Sequence, residues 1–346
     1  MSNPRVLIVG AGALGLTTAY HLQLAGAELA FLVRPHRMEA LSRPQRLYSY
    51  GDHEIKTLSS YEVFTSPADL RGHHFDFVLL TLDGATCRSE QGITTLSELG
   101  EALAGTGTVM IINGVGVGLY EHVMATSGFA EKDLLEGTMT MFAYQVGSSG
   151  TPLPSPDHLD LHNSADIAYL KFDDGVGFYV TSKPRRASKA FCALYSRSGV
   201  ATCKRMPRSV FVMSSSMFFA FTVASELNGW KGTDELIADK ALWHLSCSSQ
   251  REITGLKRFG LAGKLATKLL TDKRLEKMMR NSDRKASAMG FTEFNRFHHG
   301  GKVLEQDIQI LENCVALGEA EGRGMHATRA LLDRWREHRG STAPGG

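Results

Sequence analysis

Short, unbroken runs of branched aliphatic and aromatic residues divide the first half of the chain into predicted strands that are buried on both faces. The run VLIV at residues 6–9 ends at a glycine, a helical pattern covers residues 14–25, and a second run begins at Glu28. Further strand-like runs cover the ranges 75–82, 107–113 and 134–144. This alternation predicts an α/β fold whose first half is a Rossmann-type, doubly wound parallel sheet.

Helical periodicity dominates the second half of the chain. Residues 150–185 still mix turns with short strand-like runs, the sequence ASKAFCALYSRSG predicts a short helix that ends at Gly199, and VATCKRM is the last predicted strand. One long buried helix is predicted over 208–227, and apolar side chains recurring every three or four positions predict another over 304–318. Because 346 residues exceed one typical domain, we predict two domains. These are a Rossmann domain over residues 1–203 and an all-helical domain over residues 204–340.

Composition fits an ordinary folded protein and narrows its surroundings. Hydrophobic residues make up 43% of the chain, charged residues 21%, and the formal charge of +2 is too small to predict a polyanionic partner. The five cysteines are scattered and form no CxxC pair, so we expect no metal site, no disulfide framework and a cytoplasmic location. The apolar stretch 210–224 holds three serines and is shorter than the about 20 residues of a membrane span, so no membrane partner is expected.

Residues 251–285 carry eleven Lys or Arg side chains against four acidic ones. Such an excess would attract an acidic substrate or a nucleic acid, but it is also typical of a solvated helical face. Its single aromatic residue, Phe259, makes no interleaved pattern, and the segment has no nucleic-acid-binding motif. We therefore expect no nucleic-acid partner.

Three glycines follow the first predicted strand with the spacing GxGxxG: Gly10, Gly12 and Gly15. In a strand–turn–helix context Gly10 permits the tight turn, Gly12 lets a pyrophosphate approach the backbone, and Gly15 allows close packing of helix and strand. The helix N-terminus then faces the negative charge of the phosphates. The pattern predicts a dinucleotide site, the alternative being a glycine-rich turn without a ligand.

Arg34 ends the second predicted strand, where an acidic residue would accept hydrogen bonds from the 2′-hydroxyl of an adenosine ribose. An arginine cannot accept, but it pairs with a 2′-phosphate, and His36 and Arg37 stand close behind it. The position therefore predicts NADP(H) as the cofactor. The alternative is an ordinary solvated arginine.

Polar residues end two of the other predicted strands. Asp83 follows the run at 75–82, and Asn113 with Gly114 follows the run at 107–113. Ligands of open α/β sheets bind beyond the carboxyl ends of the strands, so these residues are expected to line the site. For Asn113 the alternative is a turn residue, which is common in an Asn-Gly pair.

The motif GAGALG at residues 10–15, the pair TL at 81–82, the pair NG at 113–114 and a helical second half together resemble the ketopantoate reductase family. The resemblance spans roughly residues 5–322 and implies reduction of 2-keto acids with NADPH. It implies cofactor contacts by Gly10, Ala11, Gly12, Ala13, Leu14, Gly15, Arg34, Thr81, Leu82, Asn113, Ala143 and Glu305. Asn113 and Glu305, the latter in the TEID-like sequence LEQD, are also the implied catalytic residues.

The substrate half departs from the pattern of that family. Asp83 and Ser209 stand where the family has lysines, and Met213 and Met217 stand where it has asparagines. The serine that binds the substrate carboxylate aligns near Ser287 or Ala288. Reduction of a 2-keto acid needs a cation for the carboxylate and a proton donor for the alkoxide. Other donors available in the chain are Lys204, Arg208, His244, His298 and His299.

These observations predict an NADPH-dependent oxidoreductase that reduces a ketone or 2-keto acid other than ketopantoate, or oxidises the matching alcohol. The alternative is a non-catalytic NADP(H)-binding redox sensor. A small carbonyl or alcohol substrate is the expected partner, and a homodimer is compatible with the family. Glu305 would accept hydrogen bonds from a ribose or substrate hydroxyl or steer a proton donor, or it would only stabilise its helix N-terminus.

Overall fold

The computed structural model describes residues 3–114, 116–172, 175–216 and 218–342. The chain divides into two compact units, Met1–Arg208 and Ser209–Gly346. The division follows the last strand of the first unit, slightly beyond the predicted boundary.

Strands and helices alternate through the first unit. Its strands are β1 Arg5–Val9, β2 Glu28–Leu32, β3 Gln45–Ser49, β4 Glu54–Leu58, β5 Tyr61–Phe64, β6 Phe77–Leu80, β7 Val109–Ile112, β8 Leu134–Met139, β9 Phe142–Gln145, β10 Ile167–Leu170, β11 Val176–Thr181 and β12 Thr202–Met206. Its helices are α1 Ala13–Leu24, α2 Gly84–Arg88, α3 Glu90–Leu103, α4 Leu119–Ser127, α5 Leu159–Asn163 and α6 Arg185–Ser196.

An eight-stranded sheet forms the centre of this unit, in the order β12-β11-β8-β7-β6-β1-β2-β5. Neighbouring strands are parallel except for the antiparallel pair β11 and β8. The chain order reverses between β1 and β6, and ligands of open α/β sheets bind at such a switch point. The predicted Rossmann-type sheet is confirmed.

Both faces of the sheet are covered, as the unbroken apolar runs predict. Val6 and Ile8 of β1 pack in one buried cluster with residues of α1 and α6. Leu7 and Val9 point to the opposite face and pack in a second cluster with residues of α3 and α4. Full burial of one such side chain contributes about 1.5–3 kcal/mol to the free energy of unfolding, so the two clusters hold the strand ends in place.

A second sheet, in the order β4-β3-β10-β9, was not predicted. The segment 134–144, treated above as one element, is divided between the two sheets, because β8 belongs to the first and β9 to the second. Polar contacts between buried side chains hold the second sheet. The Tyr50 and Tyr144 hydroxyl oxygens lie 2.6 Å apart, and the Tyr144 hydroxyl is 2.9 Å from Nε2 of His162.

Helix α1 buries a histidine whose protonation is coupled to stability. His21 is 1% exposed, and its Nδ1 lies 2.7 Å from the Tyr195 hydroxyl oxygen. Burial, with a smaller effect of Lys171, lowers the pKa of His21 to about 4. Between this value and the unfolded pKa of about 6.5, the unfolded chain binds a proton that the folded chain does not. Acidification through this window therefore destabilises the fold.

We expect the loss to reach about 3 kcal/mol at pH 4, because one pKa unit corresponds to about 1.4 kcal/mol. Chemical denaturation between pH 7 and pH 4 measures it. His21→Gln should flatten the pH dependence, whereas the control His36→Gln changes an exposed histidine of the same unit and should leave it as it was. An unchanged slope in His21→Gln would contradict the assignment.

The second unit is helical, as predicted. Its helices are α7 Arg208–Ser215, which starts at the last residue of the first unit, α8 Phe219–Leu227, α9 Thr233–Ala238, α10 Lys240–Thr254, α11 Gly260–Leu269, α12 Asp272–Lys285, α13 Phe291–Phe297, α14 Leu304–Ala320 and α15 His326–Thr342. One π-helical turn covers His298–Lys302, between α13 and α14.

The prediction of a single helix over 208–227 is wrong in one respect, because α7 ends at Ser215 and α8 begins at Phe219. The hydroxyl of Ser214 donates to the carbonyl of Phe211 at 2.9 Å, and that of Ser216 donates to the carbonyl of Val212 at 2.8 Å. Such bonds to the preceding turn bend and weaken a helix. The segment Arg208–Leu227 passes a length and hydropathy test for a membrane span, but half of its most apolar window is buried within the protein, as in a core helix.

Candidate functional site

The three glycines of the predicted motif form the loop between β1 and α1. Gly10 has φ +104°, a conformation that favours glycine, and its N–H donates to the carbonyl of Leu32 on β2 at 3.0 Å. A Cβ at Gly15 would lie 2.2 Å from the carbonyl oxygen of Gly10, so helix and strand pack too closely for any side chain. A Cβ at Gly12 would meet no described atom within 4 Å. Gly12 therefore leaves an open approach to the backbone, as a pyrophosphate site requires.

Thr81 connects this loop to the neighbouring strand. It follows β6, and its hydroxyl donates to the carbonyls of Val9 at 2.8 Å and Gly10 at 3.1 Å. Leu82 also borders the loop, since its Cδ2 would lie 3.4 Å from a Cβ at Gly10. Both residues predicted to contact the cofactor thus adjoin the glycine loop at the switch point of the sheet.

Two arginines follow the carboxyl end of β2, the strand next to β1. Arg34 is exposed and precedes a short 3-10 turn formed by Pro35–Arg37. The guanidinium of Arg37 donates to the carbonyl of Ala11 in the glycine loop at 3.2 Å. The loop therefore has a cation against its backbone and a second, solvent-accessible one nearby, which suits an anionic ligand.

Asn113, at the end of β7, presents a buried hydrogen-bond donor. The residue is 4% exposed, and its Oδ1 accepts from the backbone N–H of Met139 at 3.2 Å. Its Nδ2 is buried without a hydrogen-bond partner among the residues that the structure describes. A buried donor without a partner costs about 1–3 kcal/mol, and a ligand carbonyl would satisfy it.

Two further predicted residues occupy structural positions. Asp83, at one of the family's lysine positions, caps α2, where its Oδ1 accepts from the N–H of Thr86 at 2.7 Å. Ala143 lies in β9 opposite Tyr169, within the second sheet, and α1 packs against this strand. Its contact with a cofactor remains a prediction.

The substrate positions implied by the family pattern lie in the second unit. Ser209 and Met213 belong to α7, whereas Met217 lies outside the described residues. Ser287 and Ala288 are exposed beyond the end of α12. Glu305 is in the first turn of α14, where its side chain is 77% exposed and accepts a hydrogen bond from Arg339 at 3.2 Å.

Of the other proton donors named from the sequence, Arg208 is held between carboxylates. Its Nε donates to Glu136 at 2.5 Å, its Nη2 donates to Glu121 at 3.0 Å, and its guanidinium lies over the Tyr120 ring at 4.4 Å. Lys204 is exposed on β12. These contacts make Arg208 a structural residue of the first unit.

His299 is paired with a buried carboxylate. Its Nδ1 lies 2.6 Å from Oδ2 of Asp307, a residue of α14 whose side chain is 1% exposed. Burial raises the pKa of the Asp307 carboxyl, and the hydrogen bond with His299 acts in the opposite direction. The π-helical turn that carries His299 also carries His298, which stacks on Phe294 with ring centroids 5.5 Å apart. His299 is therefore held in one orientation.

By contrast, His244 forms its pair with Asp272 on the surface. Their Nδ1 and Oδ2 atoms are 3.0 Å apart, but the His244 side chain is 68% exposed. Among the proton donors named from the sequence, and within the described ranges, His299 is thus the one whose imidazole is paired with a buried carboxylate.

A pocket lined by residues of the second unit was not predicted. Aromatic side chains form much of its wall, and its polar lining includes Asn228, Lys231, Thr233 and Asn295. The end of the helix predicted over 208–227 was the one feature expected at this turn. The aromatic and basic residues that follow, Trp230 and Lys231, are the signal that indicates a site at this turn.

Comparisons with known proteins agree with this architecture. Residues 6–151 match the family model described as "Ketopantoate reductase PanE/ApbA". The search among curated proteins found no match. Similar solved structures include a 2-dehydropantoate 2-reductase from Geobacter metallireducens, with 18% identity and a TM-score of 0.69 over 96% of this chain and 99% of that one.

Two other solved structures are also similar to this chain. A D-mandelate dehydrogenase in complex with NADH has 12% identity and a TM-score of 0.66 over 97% of this chain and 99% of that one. A dimeric ketopantoate reductase from Staphylococcus aureus has 13% identity and a TM-score of 0.60 over 97% of this chain and 99% of that one. At these identities the likeness shows the fold.

Proposed function

We propose that the chain is an NADPH-dependent oxidoreductase acting on a 2-keto acid or related ketone other than ketopantoate, a proposal that the match of residues 6–151 to the ketopantoate reductase model supports. The similarity to D-mandelate dehydrogenase supports an acid of this class as the substrate. The glycine loop carries the proposal, since its open Gly12 and tightly packed Gly15 suit a dinucleotide.

The residues present fit a nicotinamide dinucleotide. Gly10, Gly12 and Gly15 with the N-terminus of α1 would hold the pyrophosphate, and Arg34 would pair with a 2′-phosphate. Asn113 offers a ligand carbonyl its buried Nδ2, which has no hydrogen-bond partner among the residues that the structure describes. The same proposal assigns cofactor contacts to Ala11, Ala13, Leu14, Thr81, Leu82, Ala143 and Glu305. When bound, NADPH supplies the hydride that reduces the carbonyl carbon.

The chain itself must supply the proton for the carbonyl oxygen, and His299 is the residue we assign to this step. A histidine whose Nδ1 is held by a carboxylate has its Nε2 free to donate or accept a proton. Asp307 is the positioning residue, since its buried carboxylate lies 2.6 Å from Nδ1 of His299. In reduction the proton passes from Nε2 to the alkoxide oxygen, and in oxidation it returns.

In this proposal Glu305 binds a hydroxyl group of the cofactor ribose or of the substrate. Its carboxylate would accept a hydrogen bond from a ribose or substrate hydroxyl, and the exposed contact with Arg339 leaves it accessible for this. We expect Glu305→Gln to lower turnover by at least about tenfold, roughly 1.4 kcal/mol of barrier, with little change in melting temperature. Full turnover in this variant on a verified substrate would show that Glu305 only stabilises the start of α14.

Two measurements on the purified chain test the function. A shift or quench of NADPH fluorescence on mixing reports binding, and absorbance at the nicotinamide band reports turnover with a panel of 2-keto acids, ketones and aldehydes. Sustained turnover supports the enzyme, whereas binding without any turnover would instead favour a redox sensor. Absence of binding would overturn both. Light scattering of the same sample tests the proposed homodimer.

Cofactor preference tests Arg34. We expect Arg34→Asp to weaken NADPH binding by about ten- to hundredfold, because a carboxylate would replace a charge-assisted contact worth about 1.5–3 kcal/mol. NADH binding should change little. Titrations with both cofactors measure the difference, and equal losses for the two would show that Arg34 does not bind the 2′-phosphate.

A further inference from the structure

Two cysteine thiols of the first unit lie within reach of each other. Cys192 is on α6 and Cys203 is on β12, and their sulfur atoms are 2.9 Å apart. Both are free thiols, and a covalent bond would bring the sulfurs only about 1 Å closer. We propose that this pair is a reversible oxidation site, at which a hydroperoxide converts the two thiols to a disulfide and a dithiol reductant restores them.

The packing of α6 on β12 holds the two thiols together. Strand β12 forms one edge of the eight-stranded sheet, where Cys203 pairs with Phe178 of β11. The backbone N–H of Cys203 donates to the hydroxyl of Ser196, the last residue of α6, at 2.9 Å. Cys203 belongs to the buried cluster of the first unit, and Cys192 packs against that cluster. The fold therefore brings the sulfurs together before any reaction occurs.

Cys192 is the thiol that meets a peroxide first. Its side chain is half-buried, whereas Cys203 is 8% exposed. The hydrogen bond with Cys203 lowers the pKa of Cys192, and the charge of Arg205 acts in the same direction against the effect of burial. The same hydrogen bond, together with burial, raises the pKa of Cys203. Because the thiolate is the form that attacks a peroxide, Cys192 is the attacking group and Cys203 is the resolving thiol.

The other three cysteines are shielded from such a reaction. Cys87, Cys247 and Cys314 are at most 1% exposed. Burial raises the pKa of Cys87 and of Cys247 to about 12 and that of Cys314 to about 11. Buried thiols that stay protonated are inert, because the thiolate is the nucleophile. Oxidation is therefore expected at this one pair and not at the thiols of the chain in general.

The oxidation proceeds in two steps. The Cys192 thiolate attacks one oxygen of hydrogen peroxide, so a sulfur–oxygen bond forms and the oxygen–oxygen bond breaks. The other oxygen leaves as hydroxide and takes a proton from solvent, which leaves a sulfenic acid on Cys192.

In the second step the Cys203 sulfur attacks the sulfur of this sulfenic acid. A sulfur–sulfur bond forms, the sulfur–oxygen bond breaks, and the departing hydroxide takes the Cys203 thiol proton to give water. The two sulfurs lose two electrons in total and the peroxide gains them. Two thiols and one hydrogen peroxide thus give one disulfide and two water molecules.

Treatment of the full chain with hydrogen peroxide tests the site directly. We expect two of the five thiols to be consumed and peptide mapping by mass spectrometry to find a disulfide between Cys192 and Cys203. Dithiothreitol should restore all five thiols. Non-reducing electrophoresis should show a single monomeric band, because the bond forms within one chain. Survival of all thiols, or a disulfide that involves any other cysteine or a second chain, would overturn the proposal.

Single variants separate the two roles. Cys203→Ser should stop at the sulfenic acid of Cys192, which dimedone traps and mass spectrometry locates. Cys192→Ser should slow thiol loss by at least about tenfold, since only buried, protonated thiols remain. Thiol loss at the rate of the unmodified chain in Cys192→Ser would overturn the assignment of the attacking group.

Arg205→Gln should slow the first step about twofold to fivefold, because the exposed arginine no longer favours the thiolate. Lys204→Gln is the matched control, since it removes the same charge from an exposed neighbour whose side chain points to the other face of the sheet. Equal rates in the two variants would overturn the role of Arg205.

The disulfide should also stabilise the first unit, because it closes a loop of the unfolded chain. We expect the oxidised chain to melt at least about 4 °C above the reduced chain, and Cys203→Ser to show no such rise after the same treatment. A melting temperature that falls on oxidation would show that the fold does not hold the sulfurs in bonding position, and it would overturn the proposal. None of these measurements uses a cofactor or substrate, so their outcome is independent of the proposed function.

Discussion

Replacing Gly15 with alanine is expected to destabilise the first unit by about 1–3 kcal/mol and to abolish cofactor binding with it. The added Cβ would lie 2.2 Å from the carbonyl oxygen of Gly10. Both atoms are fixed by backbone, so no side-chain rotation relieves the overlap, and α1 must move away from β1. Thermal unfolding followed by circular dichroism measures the loss, and a melting temperature equal to that of the unmodified chain would contradict it.

Gly12→Ala is the matched control for this prediction, because it adds the same methyl group at an open position. Gly12 has φ −82°, which alanine also adopts, and no described atom lies within 4 Å of the added carbon. The fold should therefore persist, while the methyl group occupies the space that a pyrophosphate needs. We expect NADPH binding to fall by at least about hundredfold, close to 3 kcal/mol, at an unchanged melting temperature. Normal binding in Gly12→Ala would remove the glycine loop as the cofactor site.

The first unit could be predicted largely because its signals are local. The run 6–9, the glycines behind it and the helix that follows are contiguous, and each fixes the conformation of its neighbours. The sheet order then follows from short right-handed connections. Arg34 was identified by the same reasoning, since it lies two residues beyond the end of β2, whereas Thr81 was named through the family resemblance.

The second sheet could not be predicted, because its stability comes from residues that are distant in the sequence. Strand β3 contains Gln45, Arg46 and Ser49, so its polar and apolar residues do not alternate clearly. It nevertheless pairs with β10, which is distant from it in the sequence. The thiols of Cys192 and Cys203 likewise meet at 2.9 Å, although nothing in their spacing indicates it. They are brought together by the packing of α6 against β12.

The pocket of the second unit escaped prediction for a related reason. Its lining comes from α8, α9, α12 and α13, and no single helix presents more than a few of its residues. In the sequence its apolar members, such as Phe221, Met279 and Phe291, cannot be distinguished from core positions. The left-handed φ of Trp230 and the amide oxygen of Asn228, which has no hydrogen-bond partner among the described residues, are properties of the folded chain that the sequence does not reveal.

We expect His299→Gln to lower kcat by about 10²- to 10⁴-fold on any substrate that the chain turns over, because the reaction loses its general acid. NADPH affinity and KM should change little, since the glycine loop is untouched. Steady-state kinetics with fluorescence titration of the cofactor separates these quantities. His244→Gln is the control, because it breaks a histidine–aspartate pair of the same unit whose histidine is 68% exposed. Turnover of His299→Gln within about twofold of the unmodified chain would exclude His299 as the donor.

Asp307→Asn tests whether the buried carboxylate acts through His299. An asparagine keeps the shape and can still accept from Nδ1, but it removes the negative charge that stabilises a protonated imidazole. The neutral amide can also present its NH₂ group to Nδ1, which would place the ring proton on Nε2. We therefore expect kcat to fall in Asp307→Asn by at least about tenfold and its dependence on pH to shift, while KM stays the same. If Asp307 were only a packing residue, the melting temperature would fall and the pH profile of kcat would keep its shape.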